Sequence, residues 1–134
     1  MILLPPDLHA ALRANAAASL AAQTKGERFD PLPLVKLFSP LNAATWLATE
    51  LHNDGDTLFG LADLGFGCPE LGAFSLSEIA AVRLPFGLRI ERNLTFDTSL
   101  ALSVWADAAR HAGSIIWAET LLSRAAPDLP PTGG

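Results

Sequence analysis

Residues 44–65 read ATWLATELHNDGDTLFGLADLG. Two apolar, β-rich runs, ATWLATELH and TLFGLADLG, flank Asn53, Asp54, Gly55 and Asp56, residue types that favour tightly turned backbone. This is the clearest supersecondary signal in the chain. It predicts an antiparallel hairpin and so argues for an α+β fold against a purely helical one or a parallel doubly wound sheet.

Upstream, Pro5, Pro6 and Asp7 mark a helix start, and Leu8, Leu12, Ala16 and Leu20 recur at spacing four, which predicts an alanine-rich helix to about Ala22. LVKLFS, residues 34–39, lies between Pro33 and Pro40 and reads as a short strand. Downstream, LGFGCPELGAFSLSEI, residues 64–79, gathers Gly65, Gly67, Pro69 and Gly72 around Cys68, residues that bend a chain and interrupt ladders. GAFS returns as a short strand, and Ser75 with Glu78 three positions on forms a capping box for a helix from Leu76. In LRIERNLTFD, residues 88–97, Leu88, Ile90, Leu94 and Phe96 alternate with polar positions, predicting a half-buried strand with Arg92 on its inner face. Ser99 is placed to cap a helix through Trp105 that Gly113 stops, and SIIWAETLLSRAA, residues 114–126, is one more helix. The expected architecture is a small antiparallel sheet of four or five strands with an N-terminal helix and C-terminal helices. It occupies residues 1–126 as a single domain, with a flexible tail over 127–134.

Composition narrows the function classes. In 134 residues, 50% hydrophobic content supports one core but would starve two. Nine basic against fourteen acidic residues give a net charge of −5, so a wide phosphate-tracking surface would be assembled against the overall field, and direct nucleic-acid binding is disfavoured. Cys68 is the only cysteine, which excludes an intrachain disulfide and a Cys-rich zinc site and fits a reducing cytoplasm. MILLPP has no basic leader, and HAALRANAAASLAA is interrupted by Arg13 and Asn15, so neither targeting nor membrane spanning is expected.

The chemistry-bearing residues concentrate in one interval. Between Lys36 and Arg83 there is no lysine or arginine, while Glu50, Asp54, Asp56, Asp63, Glu70 and Glu78 all fall there. One reading makes Glu50, Asp54, Asp56, Asp63 and Glu70 an acidic binding surface on the hairpin and its following turn. Another makes Glu50, Asp63 and Glu70 oxygen ligands or an acid/base set. The bland reading assigns Asp54 and Asp56 to the turn and Glu78 to the cap, and NDGD fails the calcium-loop pattern. Glu50 and Arg92 each interrupt an apolar β stretch and are expected to form a structural ion pair. His9, His52 and His111 lack metal-ligand spacing, GxSxG is absent, and no motif implies a cofactor or a metal. Trp46, Trp105 and Trp117 read as core or interface anchors.

Several ordered phrases, LLPPDLHAALRANAAAS, PLVKLF, ATWLATEL, LFGLADLGFGCPELGAFSLSEIAAVR and GLRIERNLTF, resemble the domain-of-unknown-function family 2958, an uncharacterised bacterial family, over roughly Leu3 to Ile116. The resemblance implies a gene often carried on plasmids and mobile elements, with an accessory role in the cytoplasm such as counter-defence or transfer. It implies no reaction. The favoured reading is a non-enzymatic module that binds another protein through the acidic hairpin and apolar residues of the last helix. The alternative is a small divalent-metal-assisted hydrolase or nucleotide-acting enzyme that uses Glu50, Asp63 and Glu70.

Overall fold

The computed structural model describes residues 2–125; the expected tail over 127–134 lies outside the described residues. Helix α1 (Pro6–Thr24) precedes strand β1 (Val35–Phe38), the hairpin strands β2 (Thr45–Leu51) and β3 (Thr57–Asp63), and strand β4 (Glu70–Ser75). A short helix α2 (Leu76–Ala81), strand β5 (Glu91–Arg92) and helices α3 (Leu102–Ala112) and α4 (Ile115–Ala125) follow. The sheet order is β4-β3-β2-β1-β5, and every neighbouring pair is antiparallel. This is the α+β architecture that the hairpin predicted.

Helices cover both faces of the sheet. Leu12 of α1 and Ile79 of α2 share one core with Val35, Leu37, Trp46, Ala48, Leu51 and Leu58. Leu102, Trp105 and Ala109 of α3, with Ile115 and Ala118 of α4, share the second core with Leu47 and Leu61. Neighbouring side chains of β2 therefore enter different cores, and all seven of its residues are buried, which is why this run shows no polar alternation. Gly60 is required by the hairpin itself, because a Cβ there would lie 1.8 Å from the Leu47 carbonyl oxygen of β2.

Two local expectations are corrected. The strand read over 88–97 contracts to Glu91–Arg92, because the Asn93 side chain accepts the Thr95 amide at 3.0 Å and turns the chain. Ile90 sits in the first core, while Phe96 packs near Trp105 in the second, so the segment wraps around the β5 edge of the sheet. Ser99 does not cap α3. Its N-cap position is Ala101, which offers no side-chain oxygen; Asp30 accepts the Ser103 amide at 3.0 Å and the Ser103 hydroxyl from 73 residues away. Among the described residues, no helix is long and apolar enough to cross a membrane.

Candidate functional site

The β2–β3 hairpin has two ends, and they dispose of their carboxylates differently. At the turn, Asp54 accepts the Asp56 and Thr57 amides at 2.9 and 2.8 Å and the Thr57 hydroxyl at 2.6 Å. These bonds, the Thr57 hydroxyl first, hold the Asp54 pKa down to about 2. Asp56 accepts the Ser75 hydroxyl and the Ser77 amide, both at 2.7 Å, and its pKa is lowered by them in that order. It thereby assists Ser75, which caps α2 by accepting the Glu78 amide at 3.2 Å as the capping box predicted. The turn end is a closed hydrogen-bonded unit that ties β2–β3 to the start of α2.

At the other end, Asp63 is fully buried. One of its oxygens accepts the Gly65 amide at 2.8 Å, and the other accepts the Ile115 amide at 2.9 Å. The Ile115 amide belongs to the first turn of α4, where it lacks an intrahelical partner, so a carboxylate there also meets the positive end of the helix dipole. Ser114 completes this terminus by accepting the Trp117 amide at 3.0 Å. Asp63 is therefore a cap supplied from 52 residues away, and it clips the β3–β4 loop to α4.

The segments that this clip joins carry exposed apolar side chains. Leu64 and Phe66 of the loop are 58% and 83% exposed, and Trp117 of α4 is 62% exposed beside the partly exposed Ile116. Leu41 is exposed in the β1–β2 connection, which meets the same end because Phe38 pairs with Thr45 and Thr45 with Asp63. Leu64 and Phe66 also line a small cavity of about 170 Å³ with Ala62, Cys68 and Glu70. The sequence reading took the Gly65–Gly67 turn as a bend only. Both glycines do carry left-handed backbone, with φ of 90° and 84°, but the bend also lifts Phe66 into solvent.

The expected acidic surface is not continuous. Asp63 is buried, and Glu50 is only 9% exposed. Glu70 pairs with Ala62, five positions along β4 from Ser75 opposite Thr57, which puts it roughly 17 Å from the acidic turn at strand rise. Nor do Glu50, Asp63 and Glu70 converge: Glu50 lies opposite Phe59, four residues or roughly 13 Å along β3 from Asp63. Among the described residues, no group of three or more His, Cys, Asp or Glu side chains is placed to hold a metal ion.

The expected Glu50–Arg92 pair is also corrected. Arg92 lies opposite Leu37, and Leu37 opposite Trp46, so Arg92 is two strands away from β2 and level with a residue four positions before Glu50. Among the described residues, the sheet is joined to a helix by the ion pair Lys36–Glu119, at 2.8 Å, between β1 and α4. Lys36 interrupts LVKLFS just as Glu50 interrupts β2; that lone charge in an apolar run was the available signal for it. Burial raises the Glu50 pKa, with the Ser19 hydroxyl and His52 opposing it.

A family model matches residues 3–116. The chain belongs to the family described as Protein of unknown function (DUF2958). No curated protein and no solved structure matches it. The matched span of this family member contains the hairpin, the Asp63 clip with Ile115, and Phe66, and it ends one residue before Trp117.

Proposed function

We propose that the chain is a non-enzymatic accessory module that binds another protein through the apolar corner around Asp63. The observation that carries this reading is the exposure of Phe66 and Trp117 on the two segments that one buried carboxylate clips together. Large aromatic side chains left in solvent on a rigid base are typical anchors of protein interfaces. The partner surface is apolar with a basic border, because Glu70 lies beside the corner, no lysine or arginine occurs from residue 37 to 82, and the chain carries a net charge of −5. A reducing cytoplasm is the proposed setting, supported by the lone Cys68.

A photo-crosslinking residue at position 66 or 117, expressed in the native host, tests this against the same residue at position 20, on the exposed part of α1. The expected result is one adduct from 66 and 117 that is absent from 20. The purified partner should then bind the chain and lose about a hundredfold in affinity with Phe66→Asp plus Trp117→Asp at unchanged melting temperature. Equal capture from position 20, binding unaffected by the double variant, or adducts consisting only of a second copy of this chain would overturn the reading.

A further inference from the structure

A second feature lies at the opposite end of β2 from the apolar corner and does not depend on the reading of that corner. Strand β1 pairs only with Thr45–Ala48, so the last three residues of β2 run past it without a strand neighbour on that side. Helix α1 takes the place of the missing strand. Asn15 donates to the Thr49 carbonyl and Arg13 to the Leu51 carbonyl, both at 2.9 Å, satisfying backbone groups that an edge would leave open. At the first of these anchored residues, Thr49, the β2–β3 ladder shifts register between Ala48 and Glu50, a bulge. Bulges re-aim side chains, and this one sets Glu50 beside Ser19 of α1.

The result is a cleft of about 470 Å³, within the size range of small-molecule sites. Its apolar lining is Ala16, Ala17 and Leu20, and its polar lining is Arg13, Ser19 and Gln23 from α1 with Glu50, His52 and Asn53 from the end of β2 and the turn. Glu50 is more than nine-tenths buried and borders this cleft. Among the described residues, the ion pairs within 4 Å are Lys36–Glu119 and Asp107–Arg110, so Glu50 makes no direct ion pair there, and Arg13, which lines the same cleft, donates to the Leu51 carbonyl instead. The residue is largely buried while its carboxylate opens on the cleft, where a hydroxyl and an imidazole lie near it.

We propose that this cleft binds a small organic cation, a primary ammonium or an amidinium on a short apolar body, with Glu50 as its counter-charge. The cationic nitrogen donates to the Glu50 carboxylate, the side-chain carbonyls of Gln23 and Asn53 supply further acceptors, and the apolar body rests on Ala16, Ala17 and Leu20. An anionic ligand would meet the Glu50 carboxylate, with Arg13 already donating to the Leu51 carbonyl, whereas a divalent metal requires several oxygen ligands and finds one carboxylate on the cleft lining. The raised Glu50 pKa accords with this geometry, since a bound cation restores the ionised form that burial disfavours.

The test is a titration of amide spectra of the full chain with n-butylammonium and with benzamidinium, using butyrate as the anionic counterpart and magnesium as the metal control. Saturable shifts confined to residues 13–23 and 50–53 are expected from both cations and not from butyrate. Glu50→Gln should weaken them about tenfold or more while leaving the rest of the spectrum in place. Ala17→Phe, which fills the cleft without touching Glu50, should do the same and carries the test if the first variant perturbs the fold. Affinity should also fall as pH drops through the raised Glu50 pKa. Failure of both cations to saturate, equal shifts from butyrate, undiminished binding in both variants, or saturation by magnesium in preference to the cations would overturn the proposal.

Discussion

The two ends of the β2–β3 hairpin carry the same residue type and use it in opposite ways. At the turn, the exposed Asp54 and half-buried Asp56 accept hydrogen bonds from residues 56 and 57 and from Ser75 and Ser77 at the start of α2. At the other end, Asp63 is buried and reaches a helix that begins 52 residues later, and the segments it joins carry exposed apolar side chains. The contrast teaches that an acidic run in the sequence is not an acidic patch on the molecule. Asp30, Asp56 and Asp63 assist the starts of α3, α2 and α4, respectively, so three carboxylates act at helix N-termini. What remains for recognition is apolar at one end and a single buried carboxylate, Glu50, beside the other.

The largest test of this contrast is Asp63→Ala. It leaves the buried Ile115 amide without its partner and frees the β3–β4 loop, with an expected cost of about 2–4 kcal/mol in urea denaturation. Asp63→Asn keeps an acceptor and should lose less. A cost for Asp63→Ala no larger than that of an exposed surface change would mean that the clip is not what joins the loop to α4.

At the turn end the expected effect is smaller and depends on pH. Asp54 and Asp56 have folded pKa values below the ordinary carboxylate range, so their contribution is present above that range and is lost as pH falls toward about 2. Asp54→Ala plus Asp56→Ala should lower the melting temperature at pH 7, and the gap from the parent chain should close on acidification. A gap that stays constant down to pH 2 would show that these carboxylates act through something other than their charge.

Glu50→Gln should shift stability the other way. The folded Glu50 pKa is raised by burial, so the stability linked to it is present below the ordinary carboxylate range and lost as pH rises through the folded value. The amide removes that penalty, and a modest rise in melting temperature is expected at pH 7 with none at pH 3. A fall at pH 7 would mean that the carboxylate is already compensated, and the cleft would lose its argument for a cation. The smallest stability effect belongs to the apolar corner. Phe66→Asp should change unfolding free energy by no more than about 0.5 kcal/mol, because its side chain is 83% exposed. A larger loss would make Phe66 a packing residue and remove it from the proposed interface.

Much of the fold was legible because its determinants are short-range. The turn at Asn53–Asp56, the capping serine Ser75 and the stop at Gly113 act within a few residues of themselves, and each stands where the pattern put it. The strand over 88–97 misled for the same reason: alternation reports that side chains go to two sides, and here Ile90 and Phe96 go to different cores around a sheet edge. The candidate sites were hardly legible. Phe66 reads as part of a glycine-rich bend, and Ser19, Gln23 and His52 carry no signal without the bulge that brings Glu50 to α1.

The sequence alone therefore determined the kinds of elements and their order, since backbone propensity, capping and hydrophobic period are settled between residues that are neighbours along the chain. Only the tertiary structure decided what each charge does. Asp30 finds Ser103 across 73 residues, Asp63 finds Ile115 across 52, and Lys36 finds Glu119 across 83. A carboxylate is drawn to whichever unsatisfied N–H or cation the packed chain places within hydrogen-bond reach. That reach is about 3 Å in space and has no counterpart in sequence distance.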